Sequence, residues 1–172
     1  MTDAAEVPAP ETPTPQAPAL ADPRLSTMPH LVVRTELPNS PEESAALQGI
    51  PVGALLRTIV VRRGEDDYLF VLVPAGRRFD WPRLRSLLGV NRLSLPDADE
   101  AQAVTGYVRF TITPFGSTRA WPVIVDASAM GLEVVSVGGG VRGVNLHLVP
   151  ADLVAALGAD VAAVTQAEAE AG

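Results

Sequence analysis

The fold is decided by residues 105–143, which read TGYVRFTITPFGSTRAWPVIVDASAMGLEVVSVGGGVRG. Within this stretch two apolar, β-branched runs, at 122–125 and 134–137, predict buried strands. Glycines cluster at 138–143, where the backbone must turn sharply or let another group approach closely. Asp126 directly follows the first run. Strands that end at glycine-rich loops around one acid are typical of the wall of a small pocket, although a plain sheet with tight turns gives the same pattern.

Short helices and strands are predicted on both sides of this stretch. The N-cap residues Ser40 and Asp97 predict helices at 41–48 and 98–104, and further helices are expected at 80–88 and 151–157. The other predicted strands lie at 31–35, 55–62, 68–73, 93–95 and 144–148. Some seven strands and four short helices predict an α+β domain with a mixed, largely antiparallel sheet or barrel-like core.

The length of 172 residues predicts one domain with a real core. Residues 1–29 hold seven prolines and few large apolar side chains, so we expect a disordered arm there. The folded domain is then expected at 30–165, with a frayed tail at 166–172. The start does not resemble a signal peptide and no long apolar run follows, which predicts a soluble, cytoplasmic protein without a membrane partner.

The composition excludes several chemistries. There is no cysteine and no lysine, and all 13 basic residues are arginine, so disulfides, zinc–cysteine sites, thiol nucleophiles and Schiff bases are ruled out. The net charge is −7, yet eight arginines fall between residues 57 and 92. These arginines fit either a local basic face for a phosphate backbone or charges scattered over the surface.

The two histidines, His30 and His147, have no metal-binding spacing, so no metal site is expected. There is no G-x-S-x-G motif to support a serine triad, and His147 is interpreted as structural. The glycine run at 138–143 lies between two strands rather than before a helix, which argues against a nucleotide cofactor; we expect none. What remains is a set of backbone amides near Asp126 that can bind an anion or a developing oxyanion.

A succession of short motifs along the chain resembles the YbaK/ProX-like family of aminoacyl-tRNA editing domains. The motifs are AALQGI (45–50), LRTIVV (56–61), VLVPAG (71–76), LRSLLG (84–89), TGY (105–107), TPFG (113–116), PVIVD (122–126), GGVRG (139–143) and PADL (150–153). Each motif is loose, but their order and spacing together cover about residues 30–165.

The resemblance implies an aminoacyl-tRNA deacylase, a trans-editing hydrolase that acts on a tRNA 3′ end carrying a mischarged small amino acid. An aminoacyl-tRNA synthetase is then a candidate partner. In this family water attacks an already activated ester with help from the terminal ribose hydroxyl, while the protein positions the groups and stabilises the oxyanion. A small pocket excludes larger amino acids. The alternatives are a family member that binds an aminoacyl-tRNA end or another small ligand without hydrolysis, and an unrelated small-ligand module.

The resemblance also implies the site residues. Arg57, where the family has lysine, and Asp126 are expected to be catalytic. Phe110 stands four residues before Pro114, where the family has a glycine whose backbone helps to bind the substrate carbonyl. The expected substrate-binding residues are Thr58, Phe110, Pro114, Gly116, Gly139, Gly140 and Arg142. We expect Arg57, Asp126 and the glycine hairpin to converge on one small hollow.

Overall fold

A computed structural model describes residues 17–167 of the chain. The helices are α1 (Pro23–Ser26), α2 (Pro41–Gln48), α3 (Trp81–Leu88), α4 (Ala98–Thr105) and α5 (Pro150–Leu157). The strands are β1 (Leu31–Arg34), β2 (Leu56–Gly64), β3 (Asp67–Pro74), β4 (Arg77–Phe79), β5 (Val123–Asp126), β6 (Val135–Gly138), β7 (Val144–Leu148), β8 (Asp160–Ala162) and β9 (Thr165–Ala167).

The strands form one mixed sheet and two antiparallel ones. The four-stranded sheet has the order β2-β3-β5-β8, in which β2 and β3 are antiparallel while β5 and β8 add in parallel. The three-stranded sheet has the order β1-β7-β6, and β4 pairs with β9. A single parallel bridge between Leu55 and Ser136 joins the start of β2 to β6. The two larger sheets share one core, to which both contribute side chains.

Alternating side chains of the four-stranded sheet enter two separate cores. Leu72 and Val125 face the three-stranded sheet and pack with Val137 and Leu146. The intervening residues, such as Ile124, face the opposite side, where α3 covers them. Residue parity along a strand therefore decides which face of the sheet a side chain occupies.

The helices begin and end where their caps predict. The side chains of Ser40, Asp80 and Asp97 each accept a hydrogen bond from the backbone N–H three residues further on. Glycines in the left-handed conformation end four of the helices, at positions 49, 89, 106 and 158.

The folded part begins earlier than the predicted boundary at residue 30. Ala19 and Leu25 are buried in the main core, and the Ala19 N–H donates a hydrogen bond to the Gly139 carbonyl. Residues 1–16 of the predicted arm lie outside the described residues. At the other end, β9 extends through residues 166 and 167, which were expected to be frayed, and residues 168–172 are not described.

Three short strands, β4, β8 and β9, were not expected from the sequence. The prediction of a strand at 93–95 is wrong, because Ser94 alone pairs there, through one bridge to Arg62. Among the described residues no helix is both long and apolar enough to span a bilayer.

Candidate active site

A cleft of about 970 Å³ lies along the outer edge of β2. This edge is covered at one end by the Leu55–Ser136 bridge and at the other by the Arg62–Ser94 bridge, and it is open between them. The other walls are formed by the N-terminal ends of α2 and α4, the 109–112 loop and the glycine hairpin with the start of β7. Their lining residues are Asn39, Ser40, Ser44, Asp97, Ala98, Arg109, Phe110, Ile112, Gly138, Arg142 and Asn145.

The backbone of β2 directs hydrogen-bonding groups into the cleft. The Ala75 N–H donates to the Leu55 carbonyl, so odd-numbered residues of this strand pair with β3. Arg62 instead exchanges two backbone hydrogen bonds with Ser94 on the outer edge. Because these directions alternate along an antiparallel strand, the N–H and C=O groups of Thr58 and Val60 point into the cleft.

The bottom of the cleft is apolar, with one polar atom that lacks a protein partner. Leu56, Val60 and Ala101 are buried side chains on this surface. Between them Thr58 lines the cleft, and its Oγ1 is buried without a hydrogen-bond partner within the described chain. A buried, unpaired hydroxyl costs about 1–3 kcal/mol, so Oγ1 is a candidate contact for a bound ligand.

Arg57 lies at the cleft on the same strand, with its side chain exposed. One Nη2–H donates to the Arg77 carbonyl at 2.8 Å. This single anchor fixes the guanidinium, and its remaining N–H groups have no other hydrogen bond or ion pair within residues 17–167. A planar cation held in this way is suited to a carbonyl, carboxylate or phosphate oxygen.

The rim of the cleft is mainly cationic. Arg109 and Arg142 are exposed side chains on it, together with Arg57. The carboxylate on this rim is that of Asp97, whose Oδ1 already accepts the Glu100 N–H. The cleft therefore favours a ligand with negative charge at its mouth and a small apolar group at its bottom.

Phe110 borders the cleft without filling it. Its backbone is in the left-handed region, with a φ of 71°, which is strained for a bulky side chain by on the order of 1 kcal/mol. The residue is 80% exposed, and the Arg109 guanidinium lies 4.9 Å from the ring centroid. Phe110 thus keeps the backbone conformation that a glycine would supply, and its ring faces solvent.

Asp126 lies outside the cleft. It shares a face of the sheet with Arg57 but is two strands away, about 10 Å at the usual strand spacing. Its carboxylate accepts hydrogen bonds from the Ser128 N–H and hydroxyl and from the Val164 N–H, and lies 3.7 Å from the Arg77 Nε. Burial alone raises the pKa of Asp126, but these hydrogen bonds outweigh it and hold the pKa below the usual value of 3.8. The carboxylate is therefore ionised and committed to its neighbours.

Four of the expected substrate-binding residues contact the N-terminal segment of the chain itself. The Gly116 N–H donates to the Asp22 carboxylate at 2.8 Å, and the Pro114 carbonyl accepts from Arg24 at 3.0 Å. Gly139 pairs with Ala19 through its carbonyl, as described above. A Cβ on Gly140 would lie 2.9 Å from Pro18. Close packing against Pro18 leaves no room for a side chain at Gly116 and Gly140, and Val144 leaves none at Gly139, so these glycines are required without any ligand.

Neither histidine lines the cleft. His147 Nε2 lies 2.9 Å from Gln48 Oε1, which also accepts the Ser136 hydroxyl, and burial lowers the pKa of His147 below its usual 6.5. This polar cluster is structural, as the sequence suggested. Within residues 17–167 no three acidic or histidine side chains are grouped to hold a metal ion.

The structure thus brings together Arg57, Thr58, Phe110 and Arg142, and it separates them from Asp126 and from the packed glycines. Sequence reasoning missed Arg109, Ser40 and Ser44, which also line the cleft. Arg109 had a signal, since it directly precedes the expected ligand-binding Phe110. Ser40 and Ser44 had none, because only the tertiary fold places α2 against β2.

The sequence model of the family described as the aminoacyl-tRNA editing domain matches residues 35–156. EbsC of Enterococcus faecalis, described as a candidate Cys-tRNA(Pro)/Cys-tRNA(Cys) deacylase, is 23% identical over 129 residues, which are 75% of this chain and 79% of that protein. The crystal structure of a candidate trans-editing enzyme for prolyl tRNA synthetase has a TM-score of 0.78 and 25% identity, over 90% of this chain and 99% of that one. The crystal structure of a hypothetical protein has a TM-score of 0.75 at 24% identity, over 83% and 95% of the two chains. The predicted mixed α+β fold is confirmed by these structural matches.

Proposed function

The chain belongs to the aminoacyl-tRNA editing domain family, and we propose that it is a deacylase that hydrolyses the ester between a mischarged small amino acid and the 3′ end of a tRNA. The observation that carries this proposal is the cleft on the edge of β2. It combines an apolar bottom, the unpaired Thr58 hydroxyl and the anchored Arg57 cation within the region that the family model matches.

The residues of the cleft suit hydrolysis of an ester that is already activated. Water adds to the ester carbonyl and forms a tetrahedral oxyanion. The bond from the carbonyl carbon to the ribose oxygen then breaks, and that oxygen takes up a proton, which gives the free amino acid and a tRNA with a free hydroxyl. Arg57 stabilises the oxyanion, and the edge amides of β2 with the Thr58 hydroxyl orient the amino acid.

The substrate class follows from the cleft and from the relatives. The relatives named above are described as acting on cysteinyl-tRNA or alongside prolyl-tRNA synthetase. Cysteinyl-tRNA(Pro) and alanyl-tRNA(Pro) are therefore the first substrates to test, and prolyl-tRNA synthetase is the proposed partner that supplies them in the cytoplasm. We expect Arg109 and Arg142, which lie on the rim, to contact the terminal phosphates.

The test is a deacylation assay on tRNAs carrying radiolabelled alanine, cysteine or serine. We expect at least one of them to be hydrolysed well above the spontaneous rate. Arg57→Ala should lower kcat/KM by on the order of 100-fold, the size found for loss of one oxyanion donor. Arg57→Lys, which restores the residue that the family carries, should keep most of the activity.

Arg83→Ala is the matched control, since Arg83 is an exposed arginine on α3 that does not line the cleft. It should leave the rate unchanged. If all three aminoacyl-tRNAs stay intact at high enzyme concentration, the hydrolase is refuted. Retained, salt-dependent binding of an acceptor-stem RNA would then favour the alternative of a family member that binds without hydrolysis.

A further inference from the structure

We propose that Phe110 is a stacking platform for the terminal adenine base of the tRNA. This inference rests on the proposed function and deepens it. Arg57 and the bottom of the cleft bind the amino acid, whereas Phe110 binds the nucleoside to which the amino acid is esterified. It also explains a residue that the folding of the chain alone does not explain.

The exposure of Phe110 indicates that its ring does little for the folded state. The ring is 80% exposed, while Phe70 and Phe115 are fully buried in the core. The backbone at Phe110 is left-handed, a conformation that glycine adopts without strain. Strained backbone conformations cluster at active sites and ligand sites, so the φ of Phe110 points to a role of this residue in binding.

The position of the ring fits a nucleoside. Phe110 lines the mouth of the cleft, and Leu56 and Val60 line its bottom. A cleft of about 970 Å³ is far larger than an alanyl or cysteinyl group, so it has room for the attached ribose and base as well. Every tRNA ends in an adenosine joined directly to the amino acid, so with the amino acid at the bottom this adenosine occupies the mouth.

Arg109 supports the same use of the ring. Its guanidinium lies 4.9 Å from the ring centroid and covers one face, which leaves the other face to a base. Arg109 also lines the cleft, so the same cation is available to the phosphate of the terminal nucleotide. Aromatic side chains in combination with arginine are the usual way in which proteins bind single-stranded nucleic acid ends.

The test is a thermodynamic cycle in which the Phe110 ring and the terminal adenine are removed separately and together. The substrates are aminoacyl esters of the trinucleotide CCA and of the same trinucleotide with an abasic terminal ribose. Phe110→Gly should raise KM for the intact ester about tenfold, which corresponds to about 1.4 kcal/mol, with little change in kcat. Removal of the base should raise KM of the unmodified enzyme by the same factor and should not change KM of the Phe110→Gly variant.

Conservative variants separate stacking from bulk. Phe110→Trp should restore KM, and Phe110→Leu, which has bulk without an aromatic face, should behave like Phe110→Gly. Val108→Gly is the control, since Val108 is another exposed apolar residue of this loop that does not line the cleft. Glycine accepts the left-handed backbone, so Phe110→Gly should fold at least as well as the original chain.

A binding assay makes the outcome independent of hydrolysis. The probe is a CCA analogue with an amide-linked amino acid and 2-aminopurine as its terminal base, whose fluorescence is quenched by stacking. Quenching by the original protein and not by Phe110→Gly supports the platform even if no ester is hydrolysed. Equal KM values and equal base dependence in both proteins would overturn it while the deacylase stands. Absence of binding to the analogue would overturn it as well.

Discussion

Replacement of Asp126 by asparagine distinguishes a structural carboxylate from a catalytic one. Asp126 is 1% exposed, and it holds the Val164 N–H at 2.9 Å, the Ser128 N–H at 3.1 Å and the Ser128 hydroxyl. An asparagine keeps one acceptor oxygen and turns an NH2 group toward one of these donors. The variant therefore loses a charge-assisted hydrogen bond and leaves a buried donor unpaired, which should cost about 3 kcal/mol of unfolding free energy.

The assay combines calorimetry with deacylation kinetics at a temperature where the variant is folded. A cost of about 3 kcal/mol lowers Tm by about 6–12 °C in a chain of this length. Because Asp126 lies outside the cleft, kcat and KM should stay within about threefold of the original values, well short of the loss expected for a general base. Asp160→Asn, an exposed aspartate on the neighbouring β8, is the matched control and should change neither quantity. An unchanged Tm together with a loss of rate on the order of 100-fold would refute this reasoning and assign Asp126 to catalysis.

Asp22→Asn should lower the unfolding free energy by about 2 kcal/mol, because this carboxylate holds both Arg24 and the Gly116 N–H; calorimetry checks it, and an unchanged Tm would contradict it. Burial alone raises the pKa of Asp22, but the hydrogen bonds from Arg24 and Gly116 lower this pKa below 3.8. The pKa of Asp126 is likewise held below 3.8 by its own hydrogen bonds. The stabilisation by the Asp22 and Asp126 carboxylates is therefore present above about pH 4 and is lost as the pH falls below it. In urea unfolding, the free energy of unfolding of Asp22→Asn should decrease less at acidic pH than that of the original chain. Burial lowers the pKa of His147 below 6.5, so as the pH falls this histidine is protonated in the unfolded chain before it is protonated in the folded one. Stability should fall below pH 6.5 by up to about 1.4 kcal/mol per pH unit, and His147→Gln should remove this slope.

The helices were predictable because their signals are local. Ser40 with Gly49 brackets α2 at the predicted residues, since a cap acts on backbone groups within one turn. The strands β4 and β9 had no such signal: each is three residues long and partly exposed, and it exists because residues far apart in the chain pair. The N-terminal segment shows the same limit. Its composition indicates disorder, but Leu25 enters a core that the rest of the chain provides.

The candidate site was predictable in its residue types and only partly in its geometry. Arg57 and Thr58 both line the cleft, because they are neighbours on one strand. Asp126 follows the end of a strand, a position that suggests a pocket wall. Whether its side chain reaches the cleft depends on how many strands separate it from β2. The order β2-β3-β5 places β3 between them, and no local pattern encodes that order.

The two residues at which the resemblance implies a lysine and a glycine, Arg57 and Phe110, are both accommodated without closing the cleft. Arg57 is longer than a lysine, but its Nη2 is held by the Arg77 carbonyl outside the apolar bottom. Phe110 keeps a glycine-like φ, so its amide stays in place while its ring faces solvent. Neither side chain fills the apolar bottom, so the cleft keeps room for a ligand next to the unpaired Thr58 hydroxyl. The open bottom and the anchored cation therefore support the proposed binding of an aminoacylated nucleoside, because a site closed by either substitution would leave no space for the amino acid.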